Sequence, residues 1–300
     1  MTSFLLLIIC LLLGSLVARI GNHPKDLHKH LNWWVLYIAL PALVLEIIPK
    51  LQFDASLWFI FVSMWGVFGS AWLLFHWLGG QLGWSRSVIG ATVLMTGLSN
   101  TAFVGLPMIE ALRGKSALPY AAVADQLGCF LAVAIGGAWV VATYTNKRAH
   151  AAEIARRVLL FPPFIALITA VLIKLSFGAP PLLETVMSRI SGTLAPLALF
   201  SVGLQLRLPR DRGHALPFAL ALSWKLALAP LLIYGSATLF GITPTIANIT
   251  VLQSAMPSNI AAAILAEQNE LDPPLANILV GVSILLSFIT VPIWNHLLTN

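Results

Sequence analysis

Charge is scarce in this chain. Only 9% of its 300 residues are Asp, Glu, Lys or Arg, against roughly a quarter in an average soluble domain. With 59% of residues hydrophobic, that shortage excludes a soluble globular protein. Cysteine is scarcer still. Cys10 and Cys129 both lie in apolar stretches and supply neither a disulfide framework nor a C-x-x-C metal site. There is no GxxxxGK[ST] phosphate loop, so no ATP-driven step is expected, and no G-x-S-x-G elbow or H-E-x-x-H pair. The histidines fall mostly in connectors. No metal, no cofactor and no enzymatic activity is expected.

What the chain has instead is apolar runs of membrane-crossing length, each able to span a hydrocarbon core of about 30 Å. Breaking it at charged and Gly/Pro-rich connectors predicts ten spans: 3–17, 31–48, 57–78, 88–112, 117–144, 158–175, 183–206, 215–240, 245–266 and 275–298. The opening "SFLLLIICLLLGSLV" lacks a basic segment before it and an A-x-A site after it, and reads as the first membrane helix rather than a secretion signal.

The net charge of +6 does not point to nucleic acid, because the cations sit in short connectors, where they act as topology signals. Arg19, Lys25, Lys29, Arg86, Lys147, Arg148, Arg156, Arg157, Arg207, Arg210 and Arg212 follow the odd spans up to the seventh, against Lys50, Arg113, Lys115, Lys174 and Arg189 on the other side. The positive-inside rule makes the first set cytoplasmic and both termini outward, as for a multi-pass protein of a bacterial inner membrane. Trp33, Trp34, Trp77 and Trp84 fall near the inner interface, and Trp58 and Trp294 near the outer one.

An internal repeat emerges from two matches. "ALPALVLEI" around Pro41 resembles "LAPLALFSV" around Pro196, and the interrupted span around Pro107 has a counterpart around Pro257. The longest polar connector, "NKRAHAAEIARR", falls between the halves. The expected organisation is a first repeat at 1–145, a cytoplasmic linker at 146–157 and a second repeat at 158–300. Five spans per half force the second copy to enter from the opposite side, giving the inverted 5+5 repeat of many secondary transporters.

The interrupted spans carry the chemistry. Pro107 lacks an N–H and its ring clashes with the preceding turn, so the helix is expected to stop before it and restart there, with Asn100 and Thr101 beside the gap. Pro257, Ser258 and Asn259 repeat the arrangement, and Ser and Asn both accept from backbone N–H groups at a helix start. Two broken helices at matched positions are expected to meet near the bilayer midplane. Their restarting N-termini each carry about half a positive charge, so together they suit an anion, with a carboxylate the natural guest.

Three further polar residues lie within spans. Lys225 sits about 15 Å from either end of its span at 1.5 Å per residue, and a central cation costs on the order of 3 kcal/mol to insert. It should face the protein interior, where it can attract substrate, pair with an acid or bond carbonyls freed at a helix break. Asp125, beside Gln126, can neutralise Lys225, carry a coupling proton or occupy a solvated outer position. Glu46 and Glu110 read as interfacial.

The motifs "GLSNTAFVGLPM", "SAMPSNIAAAILA" and "WKLALAPLL" together resemble the auxin efflux carrier family, whose bacterial members include malonate and malate permeases. The resemblance covers essentially the whole chain. It implies an all-α polytopic fold similar to bile-acid symporters and NhaA-like exchangers. A scaffold domain would comprise spans one, two, six and seven, and a transport domain three to five and eight to ten, with two broken helices crossing in the latter. It implies elevator-type alternating access for organic anions, the crossing at Asn100 to Pro107 and Pro257 to Asn259, and Gln126 as a supporting polar residue. Plant members often carry an acid in the third span, where this chain has His76.

The leading expectation is therefore a secondary active transporter of small carboxylates such as malonate, malate or auxin-like acids, coupled to H+ or Na+, with a homodimer left open. The alternatives are a sodium-coupled organic-anion symporter or a sodium/proton exchanger and, from another class, a non-transporting membrane sensor or scaffold.

Overall fold

The computed structural model describes residues 2–21, 23–145, 147, 150–176, 180–206 and 214–299. Arg148, Arg207, Arg210 and Arg212, counted above among the cytoplasmic cations, lie outside them, as do parts of the 146–157 linker. Every regular element among the described residues is helical. The chain runs through α1 (Thr2–Ile20), α2 (Leu27–Lys50), α3 (Leu57–Gln81), α4 (Arg86–Gly97), α5 (Leu106–Arg113), α6 (Lys115–Tyr144), α7 (Ala151–Leu159), α8 (Pro162–Leu175), α9 (Pro181–Gln205), α10 (Ala215–Leu239), α11 (Pro244–Ser254), α12 (Ile260–Gln268) and α13 (Pro273–Leu297).

Seven of these (α1, α2, α3, α6, α9, α10 and α13) are long and apolar enough to cross a membrane, and α7 with α8 qualifies as an eighth, bent between them. This is a multi-pass membrane protein. Helices α4, α5, α11 and α12 are individually too short, at 8 to 12 residues each. The 146–157 region, expected as a linker, carries most of α7, a helix with no buried residue. Large apolar side chains such as Leu5, Leu12, Trp33, Leu73, Trp77 and Ile289 are exposed, as lipid contact requires.

Prolines shape these helices in a recurring way. The π-helical turns Val35–Ala39, Thr101–Gly105 and Trp224–Leu228 each end two residues before a proline: Pro41, Pro107 and Pro230. A proline removes one N–H and its ring crowds the carbonyl four residues back. Widening the preceding turn to i→i+5 relieves that crowding while the helix continues.

The chain divides into two compact units. One contains Met1–Asp54, Ala102–Ala122 and Arg157–Leu206. Within it α1 packs on the second half of α9 with their backbones touching: a Cβ on Gly14 would sit 2.1 Å from the Phe200 carbonyl oxygen, and one on Gly203 would sit 2.2 Å from that of Leu11. Only glycine fits at that approach. Lys174 Nζ donates to the carbonyls of Pro49 (3.0 Å) and Leu51 (2.5 Å), closing the end of α2. Glu46 is buried rather than interfacial. Its carboxylate accepts from Ser191 Oγ at 2.5 Å and pairs with the exposed Lys115 at 3.8 Å. The reason is that α9 covers the end of α2 here, which apolar patterning does not reveal.

The other unit contains Ala55–Thr101, Val123–Arg156 and Arg207–Asn300. Here α3 packs on α4 and on the middle of α6, and α13 packs on α4 and α12. Ser85 caps α4 by accepting from Val88 N (3.3 Å), and Asp272, at φ 40°, caps α13 by accepting from Leu275 N (3.1 Å).

Candidate substrate site

Helix α4 ends at Gly97, and the chain continues extended through Leu98, Ser99 and Asn100 before helical turns resume at Thr101. Helix α11 ends at Ser254, and α12 begins at Ile260. The two breaks lie antiparallel. Asn100 N donates to the Pro257 carbonyl (2.8 Å) and Asn259 N donates to the Leu98 carbonyl (3.1 Å), flanking the Ser99–Ser258 bridge. Backbone groups that hydrocarbon cannot satisfy are thus satisfied by each other.

The first break therefore lies at Leu98 to Asn100, and Pro107 does not make it. Pro107 sits in the opening turn of α5 behind the widened turn Thr101–Gly105, which absorbs its clash. By residue partition Pro107 belongs to the first compact unit, where it lines a small pocket with Glu46, Glu110, Lys115 and Ser191. Pro257, by contrast, lies within the second break itself.

Side chains fasten the crossing. Asn259 caps α12 as its composition suggested, its Oδ1 accepting from Ala261 N (2.8 Å) and Ala262 N (3.4 Å). Its Nδ2 donates to the Ser99 carbonyl (2.9 Å), which also accepts from Cys129 Sγ (2.7 Å). Ser258 does not cap. Its Oγ donates to the Met95 carbonyl (2.7 Å) and its backbone N–H donates to Ser283 Oγ (3.0 Å). Asn100 and Thr101 are buried, Thr101 completely.

Lys225 is 1% exposed, on the widened turn Trp224–Leu228 of α10, and its Nζ donates to Ser99 Oγ at 2.5 Å. It reaches neither a carboxylate nor a freed carbonyl but a hydroxyl in the middle of the crossing. Asp125 and Gln126 are likewise buried, on the π-helical stretch Ala124–Phe130 of α6. The solvated outer position is thus not the one adopted. Asp125 accepts from Thr101 Oγ1 (2.5 Å) and from Gln126 Nε2 (2.7 Å). Lys225 thus reaches Ser99 and Asp125 reaches Thr101, two residues apart in the chain, with Gln126 bonded to Asp125.

Three participants were not singled out from sequence. Ser99 stands inside the quoted motif, directly before Asn100. Cys129 lies four residues after Asp125, a spacing that marks a shared helix face. Ser283, on α13, carries no local signal.

Arranged this way, the residues bring two restarting helix ends, a buried ammonium and several hydrogen-bond donors to one antiparallel crossing. The fold defines the class, a multi-pass helical membrane protein. Residues 1–295 match the family described as membrane transport protein, and the chain belongs to it, the auxin efflux carrier family of its motifs. It is 25% identical over 314 residues, covering 99% of this chain and 97% of the relative, to a protein of Methanothermobacter thermautotrophicus named "Uncharacterized transporter". To a "Putative malonate transporter" of Rhizobium meliloti it is 27% identical over 300 residues, covering 93% of this chain and 89% of the relative. A further "Uncharacterized transporter", from Methanocaldococcus jannaschii, is 24% identical over 313 residues, covering 100% of this chain and 99% of the relative.

Proposed function

We propose that the protein is a secondary active transporter of small organic anions, carboxylates of the malonate and malate kind, and that the anion is held at the crossing. The observation that carries the reading is the reciprocal pair Asn100 N to Pro257 O and Asn259 N to Leu98 O, which sets the N-terminal ends following Thr101 and Asn259 at one place. Their partial positive charges favour an anion. The ammonium of Lys225 adds a full one, and its hydrogen bond goes to the Ser99 hydroxyl rather than to a carboxylate. Asn100, Thr101, Pro257, Ser258 and Asn259 bound the site, Lys225, Gln126 and Asp125 support it, and Pro107 shapes the turn behind it.

In this reading the broken pairs α4/α5 and α11/α12 each complete a span, giving ten spans in an inverted 5+5 repeat. The division of the chain into two compact units supports a scaffold body and a transport body and, with them, elevator-type alternating access. The cation asymmetry of the connectors supports outward termini in an inner membrane. A likeness to a "Putative malonate transporter" supports the substrate class. H+ or Na+ drives the cycle.

Liposomes containing the purified protein should exchange external labelled malonate or malate for internal unlabelled anion. No exchange of malonate, malate or indole-acetate by folded protein would overturn the reading and favour a membrane sensor or scaffold.

A further inference from the structure

Asp125 is a buried carboxylate without a cation. It is 5% exposed, and no ion pair of the described residues includes it. Its two oxygens accept one hydrogen bond each, from Thr101 Oγ1 and Gln126 Nε2. Gln126 has no exposed surface, and its carbonyl Oε1, also buried, has no donor among the described residues. A buried amide oxygen left without a donor is rare and costs free energy. It is an acceptor free for a further donor beside Asp125.

We propose that Asp125 takes up and releases one proton for each anion carried, an inference that rests on the transport reading above. An ionised carboxylate only accepts, whereas a carboxylic acid donates through its O–H. When a proton from the aqueous phase bonds to Oδ2, that oxygen stops accepting from Gln126 Nε2 and becomes a donor. A half-turn of the Gln126 amide then presents Oε1 to it, and the orphaned acceptor is satisfied. Thr101 continues to donate to Oδ1. Release reverses the same steps, and the only bond made or broken is one O–H.

Charge links this proton to the anion. Lys225 and Asp125 reach the same break two residues apart, through Ser99 and Thr101. With both ionised their charges cancel, and the crossing offers an anion little beyond the helix ends. With Asp125 neutral, the ammonium is uncompensated and the site gains a net positive charge that a carboxylate offsets. Among the described residues no other charge intervenes. Helix α3, packed on this part of α6, carries His76 as its one titratable group, and His76 is bonded to the Tyr144 hydroxyl at 2.8 Å. On α6 itself the other ionisable groups are Lys115, Tyr120, Cys129 and Tyr144, and Cys129 is occupied by the Ser99 carbonyl. Helix α4 contributes only Arg86, bonded to the Thr143 carbonyl.

The test uses the full chain in liposomes with the membrane potential clamped at zero. In the wild type, labelled malonate should accumulate inside about tenfold for each pH unit by which the outside is more acid than the inside, the ratio one coupled proton supplies. Asp125→Asn, which cannot ionise, should bring that ratio to about one. Wild-type accumulation indifferent to pH, driven instead by a sodium gradient, or retained in Asp125→Asn, would overturn the proposal. If Asp125→Asn carries no anion, detergent-solubilised wild type in weakly buffered solution at pH 7.5 decides. Adding malonate should draw about one proton per anion bound, read by a pH indicator, and uptake of none would overturn it. Failure of the transport reading is distinct, because then the wild type exchanges no carboxylate in the absence of any gradient.

Discussion

The ammonium of Lys225 and the hydroxyl of Ser99, 126 residues apart in the chain, meet at 2.5 Å inside the protein. A lysine this buried costs free energy wherever it sits in a membrane, so its anchoring to the one segment where two helices are interrupted ties α10 to the crossing. Two separate consequences can be measured, one for stability and one for binding.

Lys225→Met keeps the unbranched apolar stem and removes the charge. Among the described residues Lys225 makes no ion pair that would be broken, and a central cation is itself costly to hold in a membrane, so the melting temperature in detergent should hold or rise. Malonate affinity, measured by titration calorimetry, should fall about tenfold or more, a loss of roughly 1.4 kcal/mol. Unchanged affinity would leave Lys225 a tether and nothing else.

Ser99→Ala strands the ammonium without its acceptor and should cost about 1–3 kcal/mol. Combined with Lys225→Met the loss should largely vanish, since residues in direct contact are non-additive. A thermal double-mutant cycle checks this, and simple additivity would deny the contact.

Asn259 has two jobs that one substitution separates. Asn259→Asp retains the oxygen that caps α12 but loses the donor to the Ser99 carbonyl and adds a negative charge at the crossing. Expression and folding should survive, because aspartate caps as well as asparagine, while anion exchange in liposomes falls at least about tenfold. Asn259→Ala should also lose about 1 kcal/mol of stability with the cap.

Gly203→Ala places a methyl group against the backbone of Leu11, where no side-chain rotation makes room. Overpacking of this kind typically costs 1–3 kcal/mol, so the melting temperature should drop by several degrees. Gly69, whose Cβ position is open, should accept alanine without loss.

Buried Glu46 offers a comparison of its two partners. Ser191→Ala removes a 2.5 Å hydrogen bond to a buried carboxylate and should cost about 1–3 kcal/mol. Lys115→Ala removes a 3.8 Å pair with a lysine that is 63% exposed and should cost no more than about 1 kcal/mol. Equal effects in thermal melts would contradict this ranking.

Much of the site was legible because its residues are conspicuous against an apolar background. Pro257, Ser258 and Asn259 stand together, and the second break lies where they do. Near Pro107 the sequence misled, since proline marks an obstacle to the helix but not how the helix answers it. A widened turn carried the chain past the proline, and the break formed earlier, at Leu98 to Asn100, where backbone pairing with Pro257 and Asn259 was available. Glu46 reads as interfacial from sequence, and Asp125 is left open there, for a different reason: their burial depends on which helices cover them, and helical spacing reports a face without saying what lies against it.

The sequence alone determined that this chain lives in a membrane, where interrupted helices can be afforded only inside protein, and which polar residues lie within its spans. These follow from composition, run length and the chemistry of single side chains. Tertiary structure decided which of those residues meet: Lys225 with Ser99, Asp125 with Thr101, and one broken helix with the other. Each pairing joins positions dozens of residues or more apart, and only packing brings such positions within hydrogen-bond reach.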